Sequence, residues 1–340
     1  MSVTPVSPAA GGTPAAAPGR TAFRAQNPWV SYLLRRGMYF VISLFVLVTV
    51  SFLLVQLIPG DPARISAGEN APPEVIEARR IQLGLDKPVI VQYLTFWVGL
   101  FTGDMGESIT SRMPVLDVIL SRAPATLELA LAAVAIALVL AVCLGLFFGA
   151  ITRGGRRHGV EVGFTSVSAI VAVIPEFLAG VILVYLFAVN MDILPVAGRS
   201  GLESYLLPVI ALALGPTASL TRIVRAETLT VLQQDYVRTA RAKRMPAVRL
   251  YGKHVLPNLL TSTLTISGLL LGSMIAGTVL VENIFAWPGL GGVIVESIQN
   301  QDYPLVQGII IFYGALVLLI NLIIDIVLIL LDPRTALDTS

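Results

Sequence analysis

The chain has 340 residues, of which 55% are hydrophobic and 13% charged, and its mean hydropathy is +0.82. A soluble domain carries about 25% charged residues, so this composition excludes an ordinary soluble protein. The formal net charge of +2 is too small to indicate binding of nucleic acid, and the single cysteine, Cys143, excludes an intrachain disulfide framework. Several apolar runs reach the ~20 residues that cross a bilayer. The sequence therefore predicts an all-α membrane protein.

Six transmembrane helices are predicted, after an N-terminal segment of different composition. Residues 1–28 are rich in proline, alanine, glycine and serine, which predicts a disordered tail. The segment Pro88–Phe101 is apolar but only fourteen residues long, which favours an interfacial or re-entrant segment over a crossing. The six predicted spans are Met38–Ile58, Thr126–Ile151, Val162–Val189, Tyr205–Thr221, Leu259–Val281 and Leu305–Leu331.

The distribution of basic residues predicts the orientation of these spans. With six spans, the residues before the first span share one side with the loops at 153–158, 222–253 and 332–340. Together these segments hold 16 of the 23 Lys and Arg residues. Because cytoplasmic loops carry the excess of Lys and Arg, both termini are predicted to be cytoplasmic. Counting Pro88–Phe101 as a seventh span would export the most basic loop.

Two loops are long enough to carry a function. The external loop, 59–123, contains both charge signs, and Pro72-Pro73-Glu74 predicts the start of a short helix that ends near Gly84. The cytoplasmic loop, 222–256, is polar and basic. Within it, residues 235–243 contain good helix formers and neither glycine nor proline, so we expect a short cytoplasmic helix that packs on protein.

The residues of common catalytic and cofactor sites do not occur in a suitable pattern. A phosphate-binding loop needs Gly-x-x-x-x-Gly-Lys-[Ser/Thr] after a strand, and the nearest segment, Ala247–His254, lacks the first glycine and the final hydroxyl. Two histidines, His158 and His254, form no convincing zinc site with one cysteine. We therefore predict that this polypeptide is not an enzyme and has no cofactor and no metal site.

Carboxylates within the apolar runs are candidates for a translocation path. Glu128, Glu176 and Asp325 lie within or beside predicted spans, where an unpaired charge is costly. They either line a path or relay protons, or they face a partner helix or a water-filled end. Pro175, directly before Glu176, predicts a kink beside a cavity.

Prolines also mark the fourth predicted span. Pro208, Gly215 and Pro216 predict a broken helix that lines a cavity, although a simple packing kink explains them equally well. The candidate path residues are therefore Pro175, Glu176, Pro208, Pro216 and Asp325.

Motifs along most of the chain resemble one family of membrane proteins. They occur in order over about residues 30–335: Leu57–Pro62, Leu83–Pro88, Gln92-Tyr93, Gly103–Gly106, Ala240–Lys243, Lys253–Asn258, Pro288–Gly291, Asp302–Pro304, Asn321, Asp325 and Leu331–Arg334. The chain resembles the permease subunits of ABC importers and, more narrowly, the first permease subunit of dipeptide and oligopeptide importers.

The resemblance implies a type I ABC importer permease fold over residues 29–335, with a cytoplasmic tail at 336–340, in the cytoplasmic membrane of a bacterium. It implies a second homologous permease, two cytoplasmic ATPase subunits and an extracytoplasmic peptide-binding protein as partners, and a peptide as substrate. The ATPases would bind the loop 222–256 through a coupling helix. Its implied residues are Tyr236, Arg238, Ala240, Arg241, Ala242, Lys243 and Arg244.

The predicted coupling helix has a side suited to a partner groove. Tyr236, Ala240 and Lys243 recur at helical spacing and are expected to share that face, and the small alanines would let the helix sit close to its partner. The family usually has a glycine where this chain has Arg244. Pro246 is expected to end the helix, because the residue before a proline disfavours the α region.

Other readings stay open at this point. Permeases that resemble this chain also carry nickel, haem or glutathione. A proton-coupled secondary transporter could use Glu176 and Asp325, but that design usually has broken helices in both halves. A membrane scaffold or assembly factor would not need the basic cytoplasmic loop.

Overall fold

The computed structural model describes residues 28–57, 60–68, 70–155 and 157–331. The tails predicted at 1–28 and 336–340 lie outside these ranges, apart from Pro28. Within the described residues the regular elements are helices, and the β pairing is a single bridge between Glu107 and Pro114. The predicted all-α class is confirmed.

The helices follow the apolar and polar segments of the sequence. In chain order they are α1 (Pro28–Leu57), α2 (Pro62–Ala67), α3 (Pro73–Gln82), α4 (Val89–Thr102), α5 (Val115–Ile151), α6 (His158–Val173), α7 (Glu176–Leu183, continued by a π-helical segment Val184–Asn190), α8 (Glu203–Val231), α9 (Asp235–Ala242), α10 (Ala247–Leu250, continued by a π-helical segment Tyr251–Val255), α11 (Leu256–Ile284), α12 (Leu290–Gln299) and α13 (Tyr303–Leu331).

By length and composition, four helices in the described part of the chain can cross a membrane. They contain Leu33–Leu57, Val115–Ile151, Glu203–Val231 and Tyr303–Val327. The bent pair α6 and α7 makes a fifth span if it is counted as one. Helix α11, with 29 residues, contains the predicted span Leu259–Val281. The count of six stays a prediction.

The prediction of a broken fourth span is wrong, because α8 is continuous through Pro208 and Pro216. Both prolines are buried, so neighbouring helices cover the backbone groups that they leave unpaired. The break lies in the third span instead, where α6 and α7 meet at 96°. Ile174 and Pro175 both have extended backbones, as expected for a residue before a proline and for a helix N-cap.

Helices α5 and α8 pack closely because small residues line one side of α5. These residues recur every four positions and are buried: Ala133, Ala137, Ala141, Gly145 and Gly149. A Cβ atom at Gly145 would clash with Val224, and one at Gly149 would lie 2.6 Å from Thr228 Cγ2. Small residues at this spacing let membrane helices approach closely.

The short helix α4 lies against α1. Gln56 Nε2 donates to Gln92 Oε1 over 3.1 Å, and the rings of Phe45 and Trp97 stack with centroids 5.4 Å apart. Gln92 near the start of α4 thus meets the end of α1, and Trp97, further along α4, meets the middle of α1, so the two helices run antiparallel. This packing favours the re-entrant alternative for Pro88–Phe101.

Candidate functional site

The short helix predicted at 235–243 exists as α9, directly after α8. It begins at Asp235, whose carboxylate at the helix start is favoured by the helix dipole. Arg238 pairs with that carboxylate over 3.5 Å, and the Thr239 hydroxyl donates to the Asp235 carbonyl. The sequence therefore identifies both the presence and the approximate bounds of this helix.

One face of α9 packs on the chain itself. Val237 is fully buried and Ala240 is 6% exposed. Both belong to an apolar cluster, which we call the α9 cluster and which consists of Val231, Leu232, Val237, Ala240, Leu250 and Val255. The opposite face is open: Tyr236, Arg238, Ala242, Lys243 and Arg244 are exposed, and Arg241 is half-buried.

The predicted common face of Tyr236, Ala240 and Lys243 is therefore wrong. Ala240 packs inward with Val237, whereas Tyr236 and Lys243 point outward. Val237 and Ala240 lie three positions apart and form the apolar stripe of this short amphipathic helix. The small side chain of Ala240 thus allows close contact within this chain, not with a partner.

Arg244 occupies a backbone conformation that favours glycine. Its φ is +57°, in the left-handed region. The Arg244 amide donates to the Arg241 carbonyl over 2.8 Å and the Met245 amide to the Ala240 carbonyl over 3.2 Å, which is the Schellman pattern at a helix C-terminus. Arginine therefore keeps the turn for which the family usually has glycine, and Pro246 caps the following helix α10.

Arg225 connects three helices near α9. In the sequence it counts only as one of the basic residues of the loop 222–256. Arg225 of α8 has a side chain only 12% exposed and pairs with Glu161 of α6 over 2.7 Å. It also donates to the Thr152 hydroxyl at the end of α5 and lies 5.7 Å from the centre of the Phe164 ring. This role could have been inferred from the sequence only by extending the predicted fourth span beyond Thr221, so that Val224 and Arg225 lie on the same helix.

The structure brings several of the predicted path residues together at the break between α6 and α7. Glu176 is the first residue of α7 and is half-buried. A Cβ atom at Gly277 of α11 would lie 3.3 Å from Glu176 Oε1 and 3.2 Å from Leu212 of α8. The Glu176 carboxylate forms no hydrogen bond or ion pair within the described residues. It therefore lies between α8 and α11, and its charge has no partner among the described residues.

The same break meets α8 near its second proline. A Cβ atom at Gly215 would lie 3.8 Å from the carbonyl oxygens of Ala172 and Ile174. These are the carbonyls at the end of α6. Pro175, Glu176 and Pro216 thus belong to one region, whereas Pro208 is buried between two residues of the apolar core, Leu207 and Val209.

The other two membrane-depth carboxylates are paired. Asp325 of α13 contacts Arg36 of α1 over 3.0 Å, and Glu128 of α5 accepts hydrogen bonds from Arg199 and, over 2.8 Å, from the Tyr205 hydroxyl. These contacts favour the alternative in which Asp325 and Glu128 join helices. Of the three, only Glu176 keeps a carboxylate open to a ligand.

A fourth carboxylate, Glu282, was missed because it directly follows a predicted apolar span. It is fully buried and accepts a hydrogen bond from the Gly291 amide over 2.6 Å, while its Oε1 has no partner within the described part of the chain. A Cβ atom at Gly289 would clash with Glu282 and lie 2.5 Å from Thr126 Oγ1. The two glycines of the Pro-Gly-Leu-Gly motif, Gly289 and Gly291, therefore let the backbone contact the buried carboxylate of Glu282.

The loop 59–123, predicted to be external, is fastened to the start of α13 and to its own helices. Asp302 is fully buried and accepts hydrogen bonds from the Ser108 hydroxyl and, over 3.1 Å, from the Thr110 amide. Asp61 caps α2 through the Ala63 amide and pairs with Arg80 over 2.6 Å. These contacts give a structural role to the aspartates of two motifs, Asp302–Pro304 and Leu57–Pro62.

The known sequences that match this chain include membrane components of transport systems. Residues 141–337 match the family described as binding-protein-dependent transport system inner membrane component, and residues 29–130 match its N-terminal counterpart. A peptide transport system permease protein of Brucella abortus (strain 2308) is 36% identical over 90% of this chain and 99% of its own length. The glutathione transport system permease protein GsiC of Escherichia coli (strain K12) is 35% identical over 89% and 98%.

Among solved structures, a crystal structure of an amino acid ABC transporter with histidines matches with a TM-score of 0.43 and 18% identity. The match covers 64% of this chain and 94% of that one. The family assignment rests on the sequence matches alone.

Proposed function

The chain belongs to the family of inner-membrane components of binding-protein-dependent transport systems, and we propose that it is one permease subunit of an ATP-driven importer for dipeptides or short oligopeptides. The importer would contain a second homologous permease, two cytoplasmic ATPase subunits and an extracytoplasmic binding protein. The relatives named as peptide permeases support this cargo. Those named as glutathione permeases make glutathione, a tripeptide, the second candidate.

The open face of α9 is the observation that carries the proposal. Tyr236 is 43% exposed and Val248 on α10 is 88% exposed, and Arg238, Lys243 and Arg244 are exposed beside them. Aromatic side chains and arginine are favoured at the centres of protein interfaces. A groove on an ATPase subunit would cover this face while Val237 and Ala240 hold the helix on the permease.

The contacts around Arg225 suggest how movement of α9 reaches the membrane. Helix α8 is continuous and leads directly to α9. Arg225 joins α8 to Glu161 near the start of α6, and α6 ends at the break before Glu176. We propose that closure of the ATPases displaces α9, and that α8 and α6 carry this displacement to the break.

Glu176 is the proposed contact with the cargo. Its carboxylate is half-buried, lies between α8 and α11 and is unpaired within the described residues. The ammonium group of a peptide would offset the cost of a partly buried charge there. Pro175 and Pro216 would shape this part of the path.

The orientation of the spans is part of the proposal. We propose that both termini are cytoplasmic, because the basic loops then share that side. In a Cys143→Ser background, single cysteines at Glu77 or Asp117 should react with an impermeant thiol reagent added outside intact cells. Reaction from the cytoplasmic side alone would contradict the proposed topology.

Reconstitution of the complete importer in proteoliposomes tests the function. ATP-dependent accumulation of labelled dipeptides is expected, and it should stop when the ATPase subunits cannot hydrolyse ATP. Glutathione, nickel and haem serve as competing cargoes in the same assay. Uptake that persists without hydrolysis and follows a proton gradient would contradict the proposal and favour a secondary transporter.

A further inference from the structure

A cavity lies beside the predicted external loop, apart from Glu176. Its volume is about 540 Å³, and its walls come from the end of α1, from α3 and α4, from residues 83–87 and 104–109, and from the start of α13. None of its lining residues belongs to α7, α8 or α11. It is therefore a different site from the break in the third span.

Charges of both signs line this cavity. Arg79 and Lys87 supply two cations, and Asp104 and Glu107 supply two carboxylates. Arg79 already donates to Gln82 and Ser66, and Asp104 accepts from the Gly106 amide. The side chains of Lys87 and Glu107 form no ion pair or hydrogen bond within the described residues. One charge of each sign is thus available to a ligand.

Two polar groups on α13 are buried at the cavity without partners. Tyr303 is 6% exposed and Gln307, one helical turn later, is 8% exposed. The Tyr303 hydroxyl and Gln307 Nε2 have no hydrogen-bond partner among the described residues. Buried polar groups are normally paired, and both atoms are covered at the floor of the cavity, so a polar ligand that displaces the side chains covering them would stabilise both.

We propose that this cavity binds a short zwitterionic peptide with both of its ends. The donors Tyr303 and Gln307, with Lys87, suit the terminal carboxylate, and Glu107 suits the terminal ammonium group. A volume of about 540 Å³ lies within the range of small-molecule pockets and suits two or three residues. The inference rests on the proposed function, since it gives the importer an external peptide site before the path at Glu176.

Direct binding to the purified importer, without its binding protein, tests the site. Labelled Ala-Ala should bind saturably, and the doubly blocked N-acetyl-Ala-Ala-amide should not compete. Tyr303→Phe and Gln307→Leu should each weaken binding about threefold to tenfold, the effect of one lost hydrogen bond. Tyr39→Phe, which removes an exposed hydroxyl from α1, is the matched control and should leave the affinity unchanged.

A stability measurement separates binding from folding. The Tyr303 hydroxyl has no partner within the described chain, so Tyr303→Phe should leave the melting temperature unchanged or raise it slightly. Unchanged peptide affinity in both α13 variants would overturn the site. Displacement of bound ligand by short-chain phosphatidylethanolamine, with no effect of free peptide, would assign the cavity to lipid and also overturn it.

The same preparations distinguish failure of the site from failure of the function. If the importer accumulates dipeptides with its binding protein present while both α13 variants bind Ala-Ala normally, the site is wrong and the function stands. If Ala-Ala binds at the cavity but no peptide is transported, the proposed function is wrong and the site stands.

Discussion

Arg225 of α8 and Glu161 of α6 form an ion pair of 2.7 Å at the end of the bundle that carries α9, 64 residues apart in the sequence. The same guanidinium donates to the Thr152 hydroxyl at the end of α5. This arginine therefore holds three helices together next to α9. It connects α8, which leads to α9, with α6, which ends at the break before Pro175.

Removing Arg225 should uncouple these helices. Arg225→Ala leaves the Glu161 carboxylate without its partner, and the loss of charged hydrogen bonds is expected to cost about 2–3 kcal/mol of unfolding free energy. ATP hydrolysis in the reconstituted importer should continue while peptide uptake falls. Arg222→Ala, at an exposed neighbouring position, is the control and should change neither the unfolding free energy nor peptide uptake. Equal effects of both variants would contradict the role of Arg225.

The two alanines of α9 should respond differently to tryptophan. Ala240→Trp should overpack the α9 cluster and destabilise the permease by about 1–3 kcal/mol. Ala242→Trp enlarges the open face and should leave the melting temperature unchanged while it weakens co-purification with the ATPase subunits. Measuring both quantities for both variants checks the assignment. A stable Ala240→Trp variant would show that its face is not packed as described.

Arg244→Gly should stabilise the turn after α9. A non-glycine residue in the left-handed region costs roughly 1–2 kcal/mol. Glycine removes this cost, but its greater freedom in the unfolded chain offsets part of the gain in stability. A net gain of about 0.5–1 kcal/mol is therefore expected in denaturant unfolding. Arg244→Ala removes the same charge without relieving the backbone, so it should give no gain. Similar gains for both variants would assign the effect to the charge.

Gly289→Ala should disturb the contact with Glu282. The added methyl group would clash with the buried carboxylate and with Thr126, at a cost of about 1–3 kcal/mol or more. Gly292→Ala is a close control, because a Cβ atom there meets nothing within 4 Å. The melting temperatures of the two variants in detergent check this prediction. A fall for Gly292→Ala as large as that for Gly289→Ala would contradict it.

Glu176→Gln should change uptake selectively if this carboxylate contacts the cargo. The side-chain shape is nearly kept, so the fold should persist, and lysyl dipeptides should lose more uptake than glutamyl dipeptides. Glu203→Gln at the start of α8 is the control for removal of one external charge. Equal losses for lysyl and glutamyl dipeptides would instead indicate that Glu176 joins this permease to its partner.

The amino-acid sequence by itself determined the membrane class, the helical content, the bounds of α9 and the family. These properties depend on hydropathy over about 20 residues, on local helix propensity and on motifs in order along the chain. The membrane class is the clearest of these properties in the sequence, since a helix that spans a lipid bilayer must be apolar along its length. The short helix after Pro72 followed from the same local rules.

Only the tertiary structure decided which polar groups pair inside the bundle. The sequence places Glu282 and Gly289 near each other but does not show that the glycine backbone rests on a buried acid. Similarly, helical spacing cannot tell whether Ala240 faces a partner or its own chain. Pro175 breaks its span and Pro216 does not, because neighbouring helices cover α8 on both sides. Such outcomes depend on contacts between segments far apart in the chain, which no local pattern contains.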